Sequence, residues 1–435
     1  LKADIEKGLS DANCERFDAR KYSIDGLKPD SVLAPKDYES IASILKVANS
    51  KKIAVCFQGS GTKNSMGNIP SKLDAIILTK HFSKSLDYVP EDLTVSVQAG
   101  IKFKELQKML VKKKQFIPLD LLFPEASIGG IISTNSTGPL RAGYGAVKNF
   151  LLGVKVAHAD GRISRAGGKV VKNVAGYDLT KLYIGAMGTL GCILEANLKV
   201  YPLPEGESTL LVFVNAIDEI KQHMKKVLSA GISPVAFEFL NQETFRLLSK
   251  YIPKDVAEYS YCMALRFFGS YPSVTNQARE AEKLALGHKT EVLLRGESSG
   301  FWNSFLDKVS KNGATLFKIS LPRDKIVDAI GKVEEAMPFY LPKTYGELST
   351  GLLHFSLQRD LQLSDYPLLA KKLLELRLYF EKIGGNLTIE VAPYMLKEHF
   401  EAWGTVPPAF FLMKTLKQKF DPNSILSSGR FVGGL

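Results

Sequence analysis

Gln58-Gly59-Ser60-Gly61-Thr62-Lys63-Asn64-Ser65-Met66-Gly67 combines three glycines with hydroxyl and ammonium groups, directly after an apolar run. Glycine permits positive φ, so successive backbone N–H groups can converge into an anion-binding nest. Thr62, Lys63 and Ser65 would add donors and positive charge. The loop is not a P-loop, because no Gly-Lys-Ser/Thr closes it. It is not a G-x-G-x-x-G fingerprint either, because Asn64 stands where the third glycine belongs. Taken alone, it fits a plain glycine turn equally well. Two further segments change that balance. Pro124-Glu125-Ala126-Ser127-Ile128-Gly129-Gly130 leads into Thr134-Asn135-Ser136-Thr137-Gly138 and Arg141-Ala142-Gly143-Tyr144-Gly145, and Gly188-Thr189-Leu190-Gly191 precedes an apolar run. Three such segments close together fit a long phosphorylated ligand laid against backbone.

Short strands and helices must hold these turns. The pattern predicts helices over 38–49 and 103–111, the latter with apolar side chains at 103, 106, 109 and 110. Strands are predicted over 53–57, 76–78, 93–97, 154–157 and 192–200. Tyr201-Pro202-Leu203-Pro204-Glu205-Gly206 breaks the pattern and marks a boundary. Beyond it, strands over 210–214, 262–268, 316–320, 353–357 and 387–391 alternate with helices over 218–228, 273–285, 323–336 and 367–383. That is the pattern of an α+β domain with an antiparallel sheet. The expected division is a lead-in over 1–31, a ligand domain over 32–205, a second domain over 206–407, and a tail over 408–435 that carries one helix.

Together the Gln58 loop, the run from Ser127 to Gly138, Arg141 to Gly145, Ala159-Asp160-Gly161, and Gly188 to Gly191 with Glu195-Ala196 resemble an FAD-binding domain of the vanillyl-alcohol-oxidase type. Within that type the resemblance is to the FAD-linked oxidases of 2-hydroxy acids. Lys172-Asn173-Val174-Ala175-Gly176-Tyr177-Asp178, Phe420-Asp421-Pro422 and Gly429-Arg430 resemble the FAD-binding subunits of glycolate oxidases. The resemblance implies an α+β protein: a two-part FAD-binding domain, to which the tail returns, and a substrate or cap domain with an antiparallel sheet. Residue by residue, it implies that Gly59, Ser60, Gly61, Thr62, Lys63 and Ser65 hold the pyrophosphate. Pro124, Ser127, Gly130, Thr134, Asn135 and Gly138 would line the flavin and its ribityl chain. Tyr144, Gly188, Gly191 and Ile193 would hold the adenosine half and nearby backbone. A turn or packing role is the alternative at each position. Relatives that link flavin covalently do so through a His beside the first glycine loop; Thr62 follows Gly61 here, so FAD is expected to be non-covalent.

Oxidising a 2-hydroxy acid needs a cation for the carboxylate, a base for the hydroxyl proton and a C–H facing the flavin. Catalytic relatives resemble one another in two runs that supply two His and a Glu for a divalent metal, plus a His base. The matching stretches here are Gly346-Glu347-Leu348-Ser349-Thr350-Gly351-Leu352-Leu353-His354 and Gly384-Gly385-Asn386-Leu387-Thr388-Ile389-Glu390-Val391. His354 and Glu390 match, the first His is Glu347, and the base position is Val391, which accepts no proton. Glu347, His354 and Glu390 leave a mixed N/O metal set open, against the alternative of a structural histidine. Lys318 matches a substrate-side lysine and would anchor the carboxylate. Phe305 occupies the place of an expected arginine three residues after Trp302, with Arg295 as a nearby substitute or a surface residue. The catalytic candidates are therefore His354, Lys318 and Glu390.

The 435 residues, 45% hydrophobic and 23% charged, exclude a disordered or collagen-like chain and call for two or three domains. No apolar run approaches the roughly 18 residues of a membrane span, and the opening reads as no signal peptide. The net charge of +12 points to acidic partners, yet the basic residues are scattered and nothing resembles a nucleic-acid module. A dinucleotide pyrophosphate, a carboxylate substrate and an acidic subunit account for it. Four cysteines without a C-x-x-C predict a reducing compartment, a cytoplasmic location and membrane contact only through partners. They also predict no iron–sulfur cluster in this chain, so electrons would leave through an iron–sulfur subunit and a catalytic FAD-bearing relative. Two functions follow: an FAD subunit that itself oxidises glycolate or D-lactate, or a non-catalytic flavin-loaded electron-transfer or structural subunit.

Overall fold

The computed structural model describes residues 13–169, 177–311 and 315–435. Lys172 to Gly176 of the Lys172-to-Asp178 motif lie outside them. The glycine turns sit on two sheets. A four-stranded sheet runs in the order Cys14–Phe17, Ser31–Pro35, Ala75–Leu78, Val55–Gln58, antiparallel at its first pair and parallel beyond it. The lead-in thus supplies an edge strand. An antiparallel five-stranded sheet follows the order Ser85–Val89, Thr94–Gln98, Cys192–Lys199, Leu151–Ala157, Ile163–Gly167.

The helix Tyr38–Lys51 forms where Asp37 caps it, accepting from the Ser40 N–H at 2.7 Å. Ile41, Ile44, Leu45 and Ala48 are buried at helical spacing, and Lys52 ends the helix in the left-handed region at φ +54°. The C-terminal segment closes onto the same sheet. Val55 N–H donates to Ile425 O at 2.7 Å and Ser427 N–H donates to Val55 O at 2.8 Å, beside the strand that feeds the first glycine loop. Lys417, on the helix Phe410–Phe420, is buried and donates to Thr189 O at 3.0 Å and Leu426 O at 2.8 Å. One ammonium therefore ties the tail to the Gly188 turn.

The third sheet has eight strands, all paired antiparallel, in the order Lys289–Leu294, Gly206–Val214, Tyr261–Gly269, Ala236–Asn241, Lys343–Glu347, Leu352–Ser356, Leu316–Ser320, Asn386–Val391. Side chains alternate across a strand. Phe237, Phe239, Phe317, Ile319, Leu353, Phe355, Leu387 and Ile389 enter one core with the helices Ile326–Ala336 and Tyr366–Lys382. The intervening positions, Glu238, Lys318, His354, Thr388 and Glu390, belong to the opposite face. A one-residue slip in register would exchange the two sets, so burying the phenylalanines is what aims the polar groups.

Candidate functional site

A cavity of about 1380 Å³, partly open to solvent, runs between the glycine turns and the polar face of the eight-stranded sheet. Gly59, Ser60, Gly61, Thr62 and Lys63 form one wall; Ser127, Gly130, Thr134 and Gly138 a second; Gly188, Gly191 and Ile193 a third. The glycines are needed for space. A Cβ at Gly59 would collide with the hydroxyl of Ser127, which itself accepts from Gly130 N–H at 3.2 Å as the cap of the helix Ile128–Thr134. Gly61 lies at φ +74°, which a side chain would disfavour. Asn135 ends that helix at φ +50° and lines an adjoining polar cavity.

Three expected positions, Ser65, Pro124 and Tyr144, stand elsewhere. Ser65 turns its carbonyl to Lys397 Nζ at 2.6 Å, and the carbonyl of Pro124 accepts from Lys104 N–H at 3.0 Å. Tyr144 packs edge-on to Phe116 and Tyr201, behind the cavity wall. Lys63, expected at a pyrophosphate, places its ammonium 3.4 Å from Glu390 Oε2.

Across the polar face, Glu238, Tyr345 and Glu347, His354, Lys318 and Glu390 follow one another on five consecutive strands. The carboxylate of Glu390 lies between two ammoniums, with Lys318 Nζ 3.3 Å from Oε1 and Lys63 on the other oxygen. Burial alone would raise its pKa, but Lys63, Lys318 and His354 outweigh that and hold it well below the usual carboxylate range. His354 stacks on Tyr345, with centroids 5.2 Å apart. Burial, opposed by Glu390 and reinforced by Lys318, Lys63 and Arg141, pushes its pKa down to about 4, so the ring is neutral at pH 7. Glu347 accepts from Phe237 N–H at 3.1 Å, Ser349 N–H at 3.0 Å and Ser349 Oγ at 2.6 Å. Burial nevertheless pushes it up to about 7.

Arg141, Glu238 and Tyr345 were not among the expected site residues, yet all three line the cavity. The sequence did carry a signal for Glu238: an acid set between Phe237 and Phe239, on a strand whose alternation buries both rings. Arg141 also lines the adjoining cavity with Lys318, Ser320 and Thr350.

The metal set suggested by the resemblance is not assembled. Lysines occupy both oxygens of Glu390, protein donors occupy those of Glu347, and no three described His, Cys, Asp or Glu side chains are grouped to hold a metal. Val391 packs with an apolar cluster that includes Trp302, Phe305 and Leu316. Arg295 lies over the ring of Tyr271, on no wall of either cavity.

The architecture is that of a flavoprotein fold. It superposes on p-cresol methylhydroxylase with a TM-score of 0.78 at 14% identity, covering 99% of this chain and 95% of that one. A 4-ethylphenol oxidase from Gulosibacter chungangensis gives 0.72 at 15% identity, covering 99% and 96%. Residues 29–167 match the family model of an FAD binding domain, and residues 203–431 match the C-terminal domain of FAD linked oxidases. The chain belongs to the FAD-linked oxidases. It is 30% identical to a glycolate oxidase subunit GlcD of Bacillus subtilis, covering 98% of this chain and 94% of that protein. It is 26% identical to a D-lactate dehydrogenase of Archaeoglobus fulgidus, covering 92% and 91%, and 25% identical to a D-2-hydroxyglutarate dehydrogenase of Stutzerimonas stutzeri, covering 99% and 97%. FAD is the cofactor, and the cradle fits it: Cβ atoms at Gly59, Gly138 or Gly191 would meet neighbouring atoms, leaving walls of bare backbone. No described helix is long and apolar enough to cross a membrane.

Proposed function

We propose that this chain is the FAD-bearing subunit of a complex that oxidises a small 2-hydroxy acid, glycolate or D-lactate, and passes the electrons to partner subunits. The observation that supports it is the continuity of one cavity from the glycine turns to the charged face carrying His354 and Glu390, where Lys318 and Arg141 line the adjoining polar cavity. FAD supplies a two-electron acceptor there when bound. Gly59 to Thr62 hold its phosphates through backbone and hydroxyl donors, and the cofactor stays non-covalent because Thr62 follows Gly61. Ser127, Gly130, Thr134, Asn135 and Gly138 line the flavin side, and Gly188, Gly191 and Ile193 the rest. Lys318 and Arg141 anchor the substrate carboxylate; His354, neutral, accepts a hydrogen bond from the hydroxyl. The division into 32–205 and 408–435 for FAD and 206–407 for substrate accompanies this reading. So do a cytoplasmic site of action, an iron–sulfur subunit and a catalytic FAD-bearing relative as partners.

A second reading, a flavin-loaded subunit without its own chemistry, is favoured by Val391 in its apolar cluster and by a His354 too weakly basic to take a proton well. Anaerobic addition of glycolate or D-lactate to the purified, yellow chain separates the two. Loss of flavin colour in the chain alone supports self-sufficient oxidation. Colour lost only when the catalytic relative is added supports the second reading. A chain that retains no FAD overturns both.

A further inference from the structure

The eight-stranded sheet lines up Lys318, His354 and Tyr345 as directly opposed residues on three neighbouring strands. Neighbouring strands lie about 4.8 Å apart, and opposed side chains share one face of the sheet. Lys318 lines the adjoining polar cavity, His354 both cavities and Tyr345 the larger one, so the row runs from one into the other. The next strand brings Leu240 opposite Tyr345 and, two residues back on the same face, Glu238 diagonal to it. Diagonal pairs remain within reach of aromatic and long side chains. An acid that meets Lys318 with its carboxylate and His354 with its hydroxyl therefore points the substituent on C2 along this row, towards Tyr345 and Glu238.

That end of the cavity is built unlike the charged end. Phe305 is 1% exposed, lies edge-on to Tyr345 with ring centroids 5.4 Å apart, and lines the cavity. Leu122 lines it too and packs against the same apolar cluster. The Tyr345 ring stacks on His354, so the apolar wall begins beside the imidazole. Two polar atoms are set into this wall. The Tyr345 hydroxyl and Oε2 of Glu238 are buried with no hydrogen-bond partner among the described residues. Both residues are 4% exposed, and both line the cavity. Buried polar groups are normally paired, so these two are groups that a ligand satisfies. Glu238 accepts from a ligand hydroxyl when ionised and donates to one when protonated, and the Tyr345 hydroxyl does either. Glycolate has no substituent on C2 and lactate only a methyl, so neither reaches these atoms.

We infer that the end of the cavity walled by Phe305, Leu122 and Tyr345 receives the C2 substituent of the substrate, and that this substituent is an aryl group tipped by a hydroxyl, which meets the Tyr345 hydroxyl and Glu238. This rests on the hydroxy-acid reading above and extends it from glycolate and D-lactate to longer acids. Tyr345, Phe305 and Glu238 are then residues that set specificity.

The test uses 2-oxo acids, the oxidised counterparts, which do not turn over on oxidised flavin. The FAD-loaded chain is titrated with pyruvate, phenylpyruvate and 4-hydroxyphenylpyruvate, and the perturbation of the flavin spectrum gives each dissociation constant. Phenylpyruvate is expected to bind about tenfold or more tightly than pyruvate, because a ring is buried. The added hydroxyl of 4-hydroxyphenylpyruvate should tighten binding by about tenfold again. In Tyr345→Phe, checked for retained flavin, the gain from that hydroxyl should shrink to about threefold or less, while the preference for phenylpyruvate over pyruvate persists. Pyruvate binding as tightly as the aryl acids overturns the inference and leaves the hydroxy-acid reading standing. The same holds if the hydroxyl brings no gain, or if its gain is undiminished in Tyr345→Phe. A folded Tyr345→Phe that releases its flavin assigns the hydroxyl to the cofactor and also overturns the inference. If that variant does not fold, the order of the three acids on the unmodified chain decides. If none of the three binds, the hydroxy-acid reading falls and the inference with it.

Discussion

Lys63, in the first glycine loop, holds its ammonium 3.4 Å from Oε2 of Glu390, 327 residues further along the chain. The contact joins the loop expected to cradle a cofactor to the last strand of the sheet expected to face the substrate. Lys318 completes it from the neighbouring strand, so one carboxylate carries two ammoniums and the local charge is positive. A cavity wall built this way attracts an anion and does not invite a divalent cation, which explains why the mixed Glu347, His354, Glu390 set is not assembled.

Glu390→Gln should therefore destabilise the chain. Its side chain is 9% exposed and that of Lys63 13%, so removing the charge strands two lysines in a partly dry cavity. Breaking a buried pair costs about 3–5 kcal/mol, and access to the cavity reduces this to about 2 kcal/mol. The sign with pH follows from a folded pKa below the unfolded one. The stabilisation is present above the unfolded value, about 4.3, and is lost as pH falls through the folded value. Urea unfolding of the two proteins at neutral and at strongly acidic pH checks this, with the gap closing only in acid.

Gly59→Val should remove the flavin while leaving the sheets folded. The added Cβ runs into the Ser127 side chain, so the two cavity walls that carry Gly59 and Ser127 must move apart. Flavin per protein, read from the visible spectrum after gel filtration, is expected to fall about tenfold or more. Circular dichroism should change little.

The glycine turns and most of the elements that carry them were legible because local rules govern both: positive φ favours glycine, and the helix Phe103–Val111 and the strand Leu316–Ser320 follow from apolar spacing alone. The strands Ala236–Asn241 and Lys343–Glu347 were not read, and with them went Glu238, Tyr345 and Glu347 as one group. Lys343-Thr344-Tyr345-Gly346-Glu347 has too few apolar residues to announce a strand; both its edges are covered by neighbouring strands, which is a tertiary fact. Lys63 illustrates the same limit. Its place in a glycine loop implies a phosphate, and only the packing of the last strand against that loop brings Glu390 within reach.

Glu347 and His354 should impose opposite slopes on stability between about pH 4.5 and 6.5. Glu347 is pushed up to about 7, so the folded state binds the extra proton and stability falls as pH rises towards 7. His354 is pushed down to about 4, so the unfolded state binds the extra proton and stability rises with pH until its unfolded value, about 6.5. Relative to the unmodified chain, Glu347→Gln shifts the slope of stability with pH upward and His354→Gln shifts it downward, each by about 1.4 kcal/mol per pH unit at most. Thermal melts of both variants from pH 4.5 to 7.5 would show it; parallel profiles would contradict the burial of either group.

Arg430→Met should loosen the cofactor loop from its far side. Arg430 is 5% exposed, and its Nη2 donates to Asn64 O at 2.5 Å and Met66 O at 2.6 Å, while its own carbonyl accepts from Asn68 N–H at 3.0 Å and Trp403 Nε1 at 2.9 Å. The backbone bonds survive the substitution; the two charge-assisted ones do not, and each is worth about 1.5–3 kcal/mol. The two carbonyls would turn towards water, and Thr62 and Lys63, just before them, would lose their fixed orientation. Flavin dissociation, followed by dilution into a flavin-free trap, is expected to quicken by about tenfold to a hundredfold. Arg430→Lys, which reaches one carbonyl but not both, should fall between the two. An unchanged rate in Arg430→Met would mean that the loop holds its shape through Gly61 and the Asn64 side-chain bond to Gln58 alone.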